Sequence, residues 1–175
     1  WSLHRQGMRH LVVDLRGNPG GLLNASVDLA DKFLPDGASI VSTRGRTESF
    51  DFKAREFGTW KIPLSVLIDG DSASASEIFA GAITDNARGT LIGERSYGKG
   101  SVQGIFRLTG LKAGVRLTTS KFYSPSGRQI SNNGVDPHVM VHTTAKPTRK
   151  LQGVQSDPVL KAALQAVGQG QFSQR

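Results

Sequence analysis

Two short segments contain residues whose types and spacing could carry out chemistry. The segment DGDSASASE, residues 69–77, holds three serines, and the segment GERSYGKGS, residues 93–101, holds a lysine between two glycines. A serine hydroxyl can act as a nucleophile if a base removes its proton, and a lysine serves as that base when burial keeps its amine neutral. Ser74 and Lys99 are therefore candidates for such a pair.

The lysine segment also fits the first seven positions of a phosphate-binding P-loop, GxxxxGK[ST]. The eighth position is Gly100 instead of Ser or Thr, so the hydroxyl that would bind Mg²⁺ is missing. The strand-like pattern SVQGIFRL follows Lys99, where a P-loop requires the start of a helix. Both features argue against a nucleotide site. The ordinary alternative is a surface lysine in a glycine turn.

Ser74 lies between a predicted strand that ends near Asp69 and a predicted helix. With Glu77 three residues later it fits a capping box, in which the serine only satisfies a backbone donor at the helix start. The same position also suits a nucleophile, because N–H groups at the start of a helix can stabilise an oxyanion. The pattern alone leaves both interpretations open. The histidines, which are the other candidate bases, all lie far from this turn in sequence: His4, His10, His138 and His142.

The elements that must position these residues alternate between strands and helices. The apolar run at 11–16 predicts a strand, the GNPGG turn follows it, and residues 22–34 show helical spacing. Two further strands are predicted at 39–43 and 63–69, and a helix at 75–87. This order indicates an α/β fold with crossover helices over a mostly parallel sheet.

The pattern changes after residue 93. The segments SVQGIFRL and GVRLTTSKFY alternate with period two and are separated by TGLKAG, which predicts a β-hairpin. Residues 44–60 are polar and irregular, so we expect an exposed excursion there. A short helix is predicted at 157–167. We therefore expect a core over 1–145, followed over 146–175 by a basic linker and that helix.

The composition fits one domain and excludes several classes of site. The chain has 175 residues, of which 37% are hydrophobic, and no apolar run approaches the roughly 20 residues of a membrane span. Without cysteine there is no disulfide, thiol nucleophile or cysteine zinc site. The net charge of +8 is scattered and aromatic residues make up 7%, which argues against nucleic-acid binding but is compatible with proximity to an anionic membrane. Because the chain opens on Trp1 with no leader before it, we expect a segment of a longer protein.

Three motifs in order, DLRGNPGG, SASASEI and GERSYGKGSVQ, resemble the carboxy-terminal processing proteases, also called tail-specific proteases. The resemblance runs from about Gly7 to Val141. It implies a serine endopeptidase on a fold related to the crotonases and the Clp protease subunit, with no metal or organic cofactor, acting on protein C-termini in the bacterial periplasm or cell envelope. The family usually carries a PDZ domain that grips substrate C-termini, and this chain lacks one, so we expect an N-terminally truncated catalytic core.

The resemblance also assigns roles to individual residues. It makes Ser74 the nucleophile, Lys99 the base and Gln103 a residue that orients the lysine amine. The backbone N–H groups of Ala75 and of Gly21 would form the oxyanion hole, and Gly20 is the second choice within that turn. The simpler alternatives are an exposed polar strand residue for Gln103 and a tight turn for the glycines.

The remaining polar residues of these motifs are expected to be structural. Ser72 and Ser76 suit turn or cap positions, and Asp14 and Arg16 suit the end of a strand. A rival interpretation of the whole chain is a non-catalytic ligand- or peptide-binding module on the same fold, as in retinoid-binding relatives. The joint presence of the serine, the lysine and the glutamine argues against that rival.

Overall fold

A computed structural model describes residues 2–55, 60–110, 112–143 and 157–168. Its helices are α1 Ser2–Arg5, α2 Leu23–Asp31, α3 Ala75–Asp85 and α4 Pro158–Gly168. Its strands are β1 Leu11–Asp14, β2 Ser39–Gly45, β3 Ser49–Lys53, β4 Leu64–Ile68, β5 Thr90–Gly93, β6 Ser101–Arg107, β7 Gly114–Tyr123 and β8 Val139–Met140. Within the described ranges, no helix combines the length and apolar character that crossing a membrane requires.

The strands form two four-stranded sheets, which confirms the α/β class. One sheet is parallel, in the order β1-β4-β5-β8, and the other is antiparallel, in the order β3-β2-β7-β6. The sequence predicted a single, mostly parallel sheet because it placed β2 beside the other early strands. In the structure β2 pairs instead with β3 and β7, and such long-range pairing is not encoded in local periodicity.

The predicted excursion over 44–60 contains strand β3, so that prediction is wrong for residues 49–53. Phe50 and Phe52 alternate with polar residues in this strand, and it pairs antiparallel with β2. The alternation was a usable signal, although the strand is short and mostly exposed. The predicted basic linker, 146–156, lies outside the described residues.

Both faces of the parallel sheet are covered. Every residue of β4 is buried, which explains why its sequence, LSVLI, is apolar at every position except Ser65. On one face the sheet packs against α2 and α3 in the main core. On the other face Leu67 and Ile92 pack against Val159, Ala163 and Ala166 of α4. Alternation of side chains along β4 therefore places α3 and α4 on opposite sides of the same strand.

Candidate active site

Ser74 occupies a sharp turn between β4 and α3. Its backbone angles are φ 57° and ψ −115°, whereas an ordinary N-cap residue has β-region angles. Ser74 and Glu77 do form the capping box that the sequence predicts, and the N–H of Ser74 donates to Glu77 Oε2 at 2.8 Å. Capping alone does not require a positive φ in a residue with a side chain. A strained strand-to-helix turn is instead the arrangement that presents a catalytic serine.

The serines on either side of Ser74 hold the turn together. Ser72 is fully buried, and its hydroxyl donates to the Leu15 carbonyl at 2.8 Å and accepts from the N–H of Asp69 at 3.0 Å. Ser76 is 4% exposed and donates to the Asn18 carbonyl at 3.1 Å. The expected structural roles of both serines are therefore confirmed.

The GNPGG turn packs directly against Ser74. Gly20 has φ +92°, and a Cβ added to it would lie 2.7 Å from the Ala75 nitrogen and 2.9 Å from Ser74 Cβ. The N–H of Gly20 already donates to Asn18 Oδ1 at 2.9 Å. Across the described part of the chain, the N–H groups of Gly21 and Ala75 have no hydrogen-bond acceptor. This geometry favours Gly21 over Gly20 as the donor that accompanies Ala75.

Lys99 lies in a tight loop that immediately precedes β6. Gly98 has φ +91°, and a Cβ on it would lie 3.2 Å from the backbone of Asn132. A Cβ on Gly100 would collide with the Ser131 nitrogen. The two glycines therefore let the lysine loop pack closely on residues 130–134. Because a strand follows Lys99, the P-loop interpretation also fails in the structure.

A buried carboxylate joins the serine turn to the lysine loop. Glu77 is fully buried, and besides the Ser74 amide it accepts the N–H of Lys99 on Oε2 at 2.8 Å. Its Oε1 accepts the N–H of Gly98 and the hydroxyl of Ser96, each at 2.6 Å. One oxygen thus binds the backbone nitrogens of both candidate residues, at 2.8 Å each.

Sequence reasoning recognised Glu77 only as a capping partner and missed this link. The residue types around Glu77 carried a signal that could have revealed the link. Glu77 is the first charged residue in an otherwise small and apolar helical segment, and a carboxylate in such surroundings needs several donors. The donors come from residues 19 to 22 positions further along the chain, which a local pattern does not reveal.

Two pockets flank the serine turn. A cleft of about 610 Å³ is lined by Ala73, Lys99 and Gln103, among other residues. A smaller pocket of about 180 Å³ is lined by Gly21 and Ala75, among other residues. The chain neighbours of Ser74 line the two pockets, Ala73 the larger and Ala75 the smaller, whereas Ser74 itself lines neither. No histidine lines either pocket.

The side chains of Lys99 and Gln103 are both exposed, whereas Ser74 is half-buried. Among the described residues no hydrogen bond joins the lysine amine to Ser74 or to Gln103. Catalytic hydrogen bonds are commonly long before a substrate binds, so this geometry is compatible with a catalytic pair. The burial that the sequence analysis expected around Lys99 is not supplied by the described residues.

The relationship to known proteins follows from the sequence match. Residues 1–141 match the family model described as Peptidase family S41. The chain belongs to this family. It is 49% identical over 138 residues to a carboxy-terminal-processing protease of Bartonella bacilliformis, covering 77% of this chain and 31% of the relative. It is 39% identical over 140 residues to the carboxyl-terminal-processing protease of a Synechocystis strain, covering 80% of this chain and 33% of that protein.

Solved structures give the same picture of this S41 chain. A photosystem II D1 C-terminal processing protease superimposes with a TM-score of 0.75 at 34% identity, covering 83% of this chain and 38% of the other. The tricorn protease shares the fold at 22% identity, with a TM-score of 0.54. The expected resemblance is therefore confirmed at the level of the family. The chain spans about a third of the length of the two curated relatives named above.

Proposed function

We propose that this chain is the catalytic part of a serine endopeptidase that cleaves protein substrates near their C-termini. The observation that carries the proposal is the pair of hydrogen bonds on Glu77 Oε2, which holds the backbone of Ser74 and the backbone of Lys99 on one buried atom. The strained conformation of Ser74 at the start of α3 supports the choice of nucleophile. The names of the relatives support the choice of substrate.

In the proposed reaction the neutral amine of Lys99 takes the proton of the Ser74 hydroxyl as Oγ attacks the scissile carbonyl carbon. The N–H groups of Ala75 and Gly21 stabilise the oxyanion, and the position of Ala75 at the positive end of α3 strengthens that effect. The lysine then protonates the leaving amine, which leaves an acyl-enzyme. A water molecule, deprotonated by the same amine, releases the N-terminal product.

Gln103 is proposed to orient the lysine amine from the wall of the cleft that they share. We further propose that substrate binds as an added strand beside β6, which is one of the two edge strands of the antiparallel sheet and the one that follows Lys99. Recognition of the substrate C-terminus is assigned to a PDZ domain of the whole protein. We propose the periplasm or cell envelope as the location, on the strength of the family resemblance.

Labelling by a serine-reactive probe tests the nucleophile. We expect wild-type protein to form a covalent adduct and to cleave peptides, and Ser74→Ala to do neither while remaining folded. Ser72→Ala and Ser76→Ala are the comparison variants, because both hydroxyls lie within two residues of Ser74. Each should lose stability with its structural hydrogen bond, but the folded protein should still form the adduct. Equal loss of labelling in all three variants would refute the assignment of Ser74. A non-catalytic binding module would bind peptide without labelling.

A further inference from the structure

Arg16 lies two residues after the last residue of β1 and connects the end of this strand to the start of α4. Its guanidinium donates to both carboxylate oxygens of Asp157, at 3.0 and 2.7 Å. It also donates to both oxygens of Asp14, at 2.9 and 2.7 Å. The Arg16 side chain is only 7% exposed, so these carboxylates replace the water that the cation has lost. Bidentate contacts of this kind fix both the position and the plane of the guanidinium.

Asp157 also caps α4. Its Oδ1 accepts the N–H groups of Val159 at 3.0 Å and of Leu160 at 2.9 Å. The hydrogen bond from Arg16 is the main cause that lowers the pKa of Asp157, and partial burial opposes it. The same carboxylate thus serves as a helix cap and as the partner of a nearly buried cation.

Helix α4 is firmly seated. Val159 and Ala163 are buried against Leu67 and Ile92 of the parallel sheet. Helix α3 packs on the other face of the sheet, in the main core, so α4 and α3 lie on opposite faces of β4. Asp157 therefore approaches Arg16 from a helix that is packed on the sheet.

The turn that supplies the proposed oxyanion donor begins immediately after Arg16. The N–H of Gly17 donates to both carboxylate oxygens of Asp69, at 3.0 Å each, and the Asn18 carbonyl accepts the N–H of Ala73 at 3.0 Å. These bonds hold the turn on the side of α3. On the side of β1 the backbone is held by the Leu15 N–H, which donates to the Leu67 carbonyl at 2.9 Å. The Arg16 side chain adds a second hold there, and its partners in the described ranges are Asp14 and Asp157. Asp14 belongs to β1 itself, so Asp157 is the partner that comes from another element.

We propose that Asp157 is a positioning residue for the oxyanion hole. Through Arg16 it fixes the end of β1 from which the 17–21 turn departs, so that α4 is a component of the catalytic unit. The inference rests on the proposed function. A displaced oxyanion donor weakens binding of the transition state and leaves binding of the substrate nearly unchanged, so the effect falls on kcat.

The test compares Asp157→Ser with wild type in the full-length protein. Serine retains a good N-cap for α4 but cannot pair with the guanidinium. Loss of a complete oxyanion donor costs about 10²–10³ in kcat, so we expect a displaced donor to lower kcat about tenfold, with KM within about twofold of wild type. Asp157→Glu retains a carboxylate and should recover most of the lost kcat.

Two control variants separate positioning from stability. Val159→Ala should loosen α4 without touching Arg16, and Asp136→Ser removes the partner of Arg95 in an exposed ion pair. Neither should lower kcat more than about twofold, since exposed ion pairs contribute little and a loosened helix still pairs with Arg16. The inference is overturned if Asp157→Ser keeps the wild-type kcat, or if Val159→Ala loses as much kcat at an equal drop in Tm. A wild type no more active than Ser74→Ala overturns the proposed function and this inference with it.

Discussion

The two halves of the candidate site are built very differently. On the helix side, Ser72, Ser76 and Glu77 are buried and hydrogen-bonded, and they hold Ser74 in a strained turn. On the loop side, Lys99 has a fixed backbone, but its side chain is exposed, as is that of Gln103. The proposed nucleophile is therefore held by a buried, hydrogen-bonded turn, whereas the proposed base is held only through its backbone.

This difference bears on what could shield the Lys99 amine from water. A lysine amine stays neutral only if water is kept away from it. The described residues leave the Lys99 side chain open to solvent, so the proposed role as a base requires that bound substrate, or residues outside the described ranges, displace this water. The chain spans about a third of the curated relatives, which leaves room for such residues.

The largest expected effect comes from the exposed half. Lys99→Arg keeps a long basic side chain and the loop backbone, but a guanidinium cannot accept a proton. We expect kcat to fall by about 10²–10⁴, the usual contribution of a general base. Peptidase assays and thermal melts would check this, with Lys121→Arg as a matched surface substitution.

Gln103→Ala tests the other exposed side chain on the loop side. It should lower kcat less than Lys99→Arg does, because it removes an orienting group and leaves the base in place. Its stability should stay within about 0.5 kcal/mol of wild type, since the side chain is exposed. A fully active Lys99→Arg protein would refute Lys99 as the base, and the histidines would again be the candidate bases.

Glu77→Gln tests the hydrogen bonds by which Glu77 links the two halves of the site. The substitution keeps the shape of the side chain but faces backbone N–H donors with an amide group that cannot accept from all of them. We expect a loss of about 1–3 kcal/mol in the free energy of unfolding, together with a large drop in kcat. Denaturant unfolding and peptidase rates would measure the two effects. Glu94→Gln is the control, since among the described residues Glu94 accepts one backbone N–H, that of Thr143.

Gly20 and Gly21, the last two residues of the proposed oxyanion turn, should respond differently to substitution by alanine. In Gly20→Ala the new Cβ meets the backbone of Ala73 and Ala75 at a φ of +92°, so the conformation alone costs about 1–2 kcal/mol and the Ser74 turn must shift. In Gly21→Ala the Cβ meets nothing within 4 Å, and the N–H remains in place. Thermal melts and kcat should therefore fall for Gly20→Ala only, and equal behaviour of the two variants would contradict this arrangement.

The smallest expected effect concerns the contribution of the pair between Arg16 and Asp157 to stability in acid. Because the pKa of Asp157 is lowered from 3.8, its pair with Arg16 stabilises the fold fully above that value. The contribution disappears as pH falls through the lower folded pKa. Asp157→Asn keeps the helix cap but removes this titration, so its free energy of unfolding should change less between pH 5 and pH 2 than that of wild type, roughly the range over which such groups titrate. A parallel pH dependence in the two proteins would show that the pair contributes nothing.

Sequence alone predicted what short-range patterns can specify. The apolar run of β4, the helical spacing of α3 and the alternation of β7 were each found close to their observed bounds. The motif order also led to the correct family, and to Ser74 and Lys99 as the candidate pair. These features depend on residue types a few positions apart, where periodicity and turn chemistry act directly.

Tertiary structure decided how the predicted parts meet. Pairing of β2 with β7, the bond from Lys99 to Glu77 across 22 residues, and the pair of Arg16 with Asp157 across 141 residues have no local signature. The exposure of Lys99 was also undetermined, because burial depends on which surfaces fold over a side chain. The physical reason is that a local pattern fixes which face of an element is apolar, whereas the partner of a polar group is fixed only when the packed chain brings the two groups together.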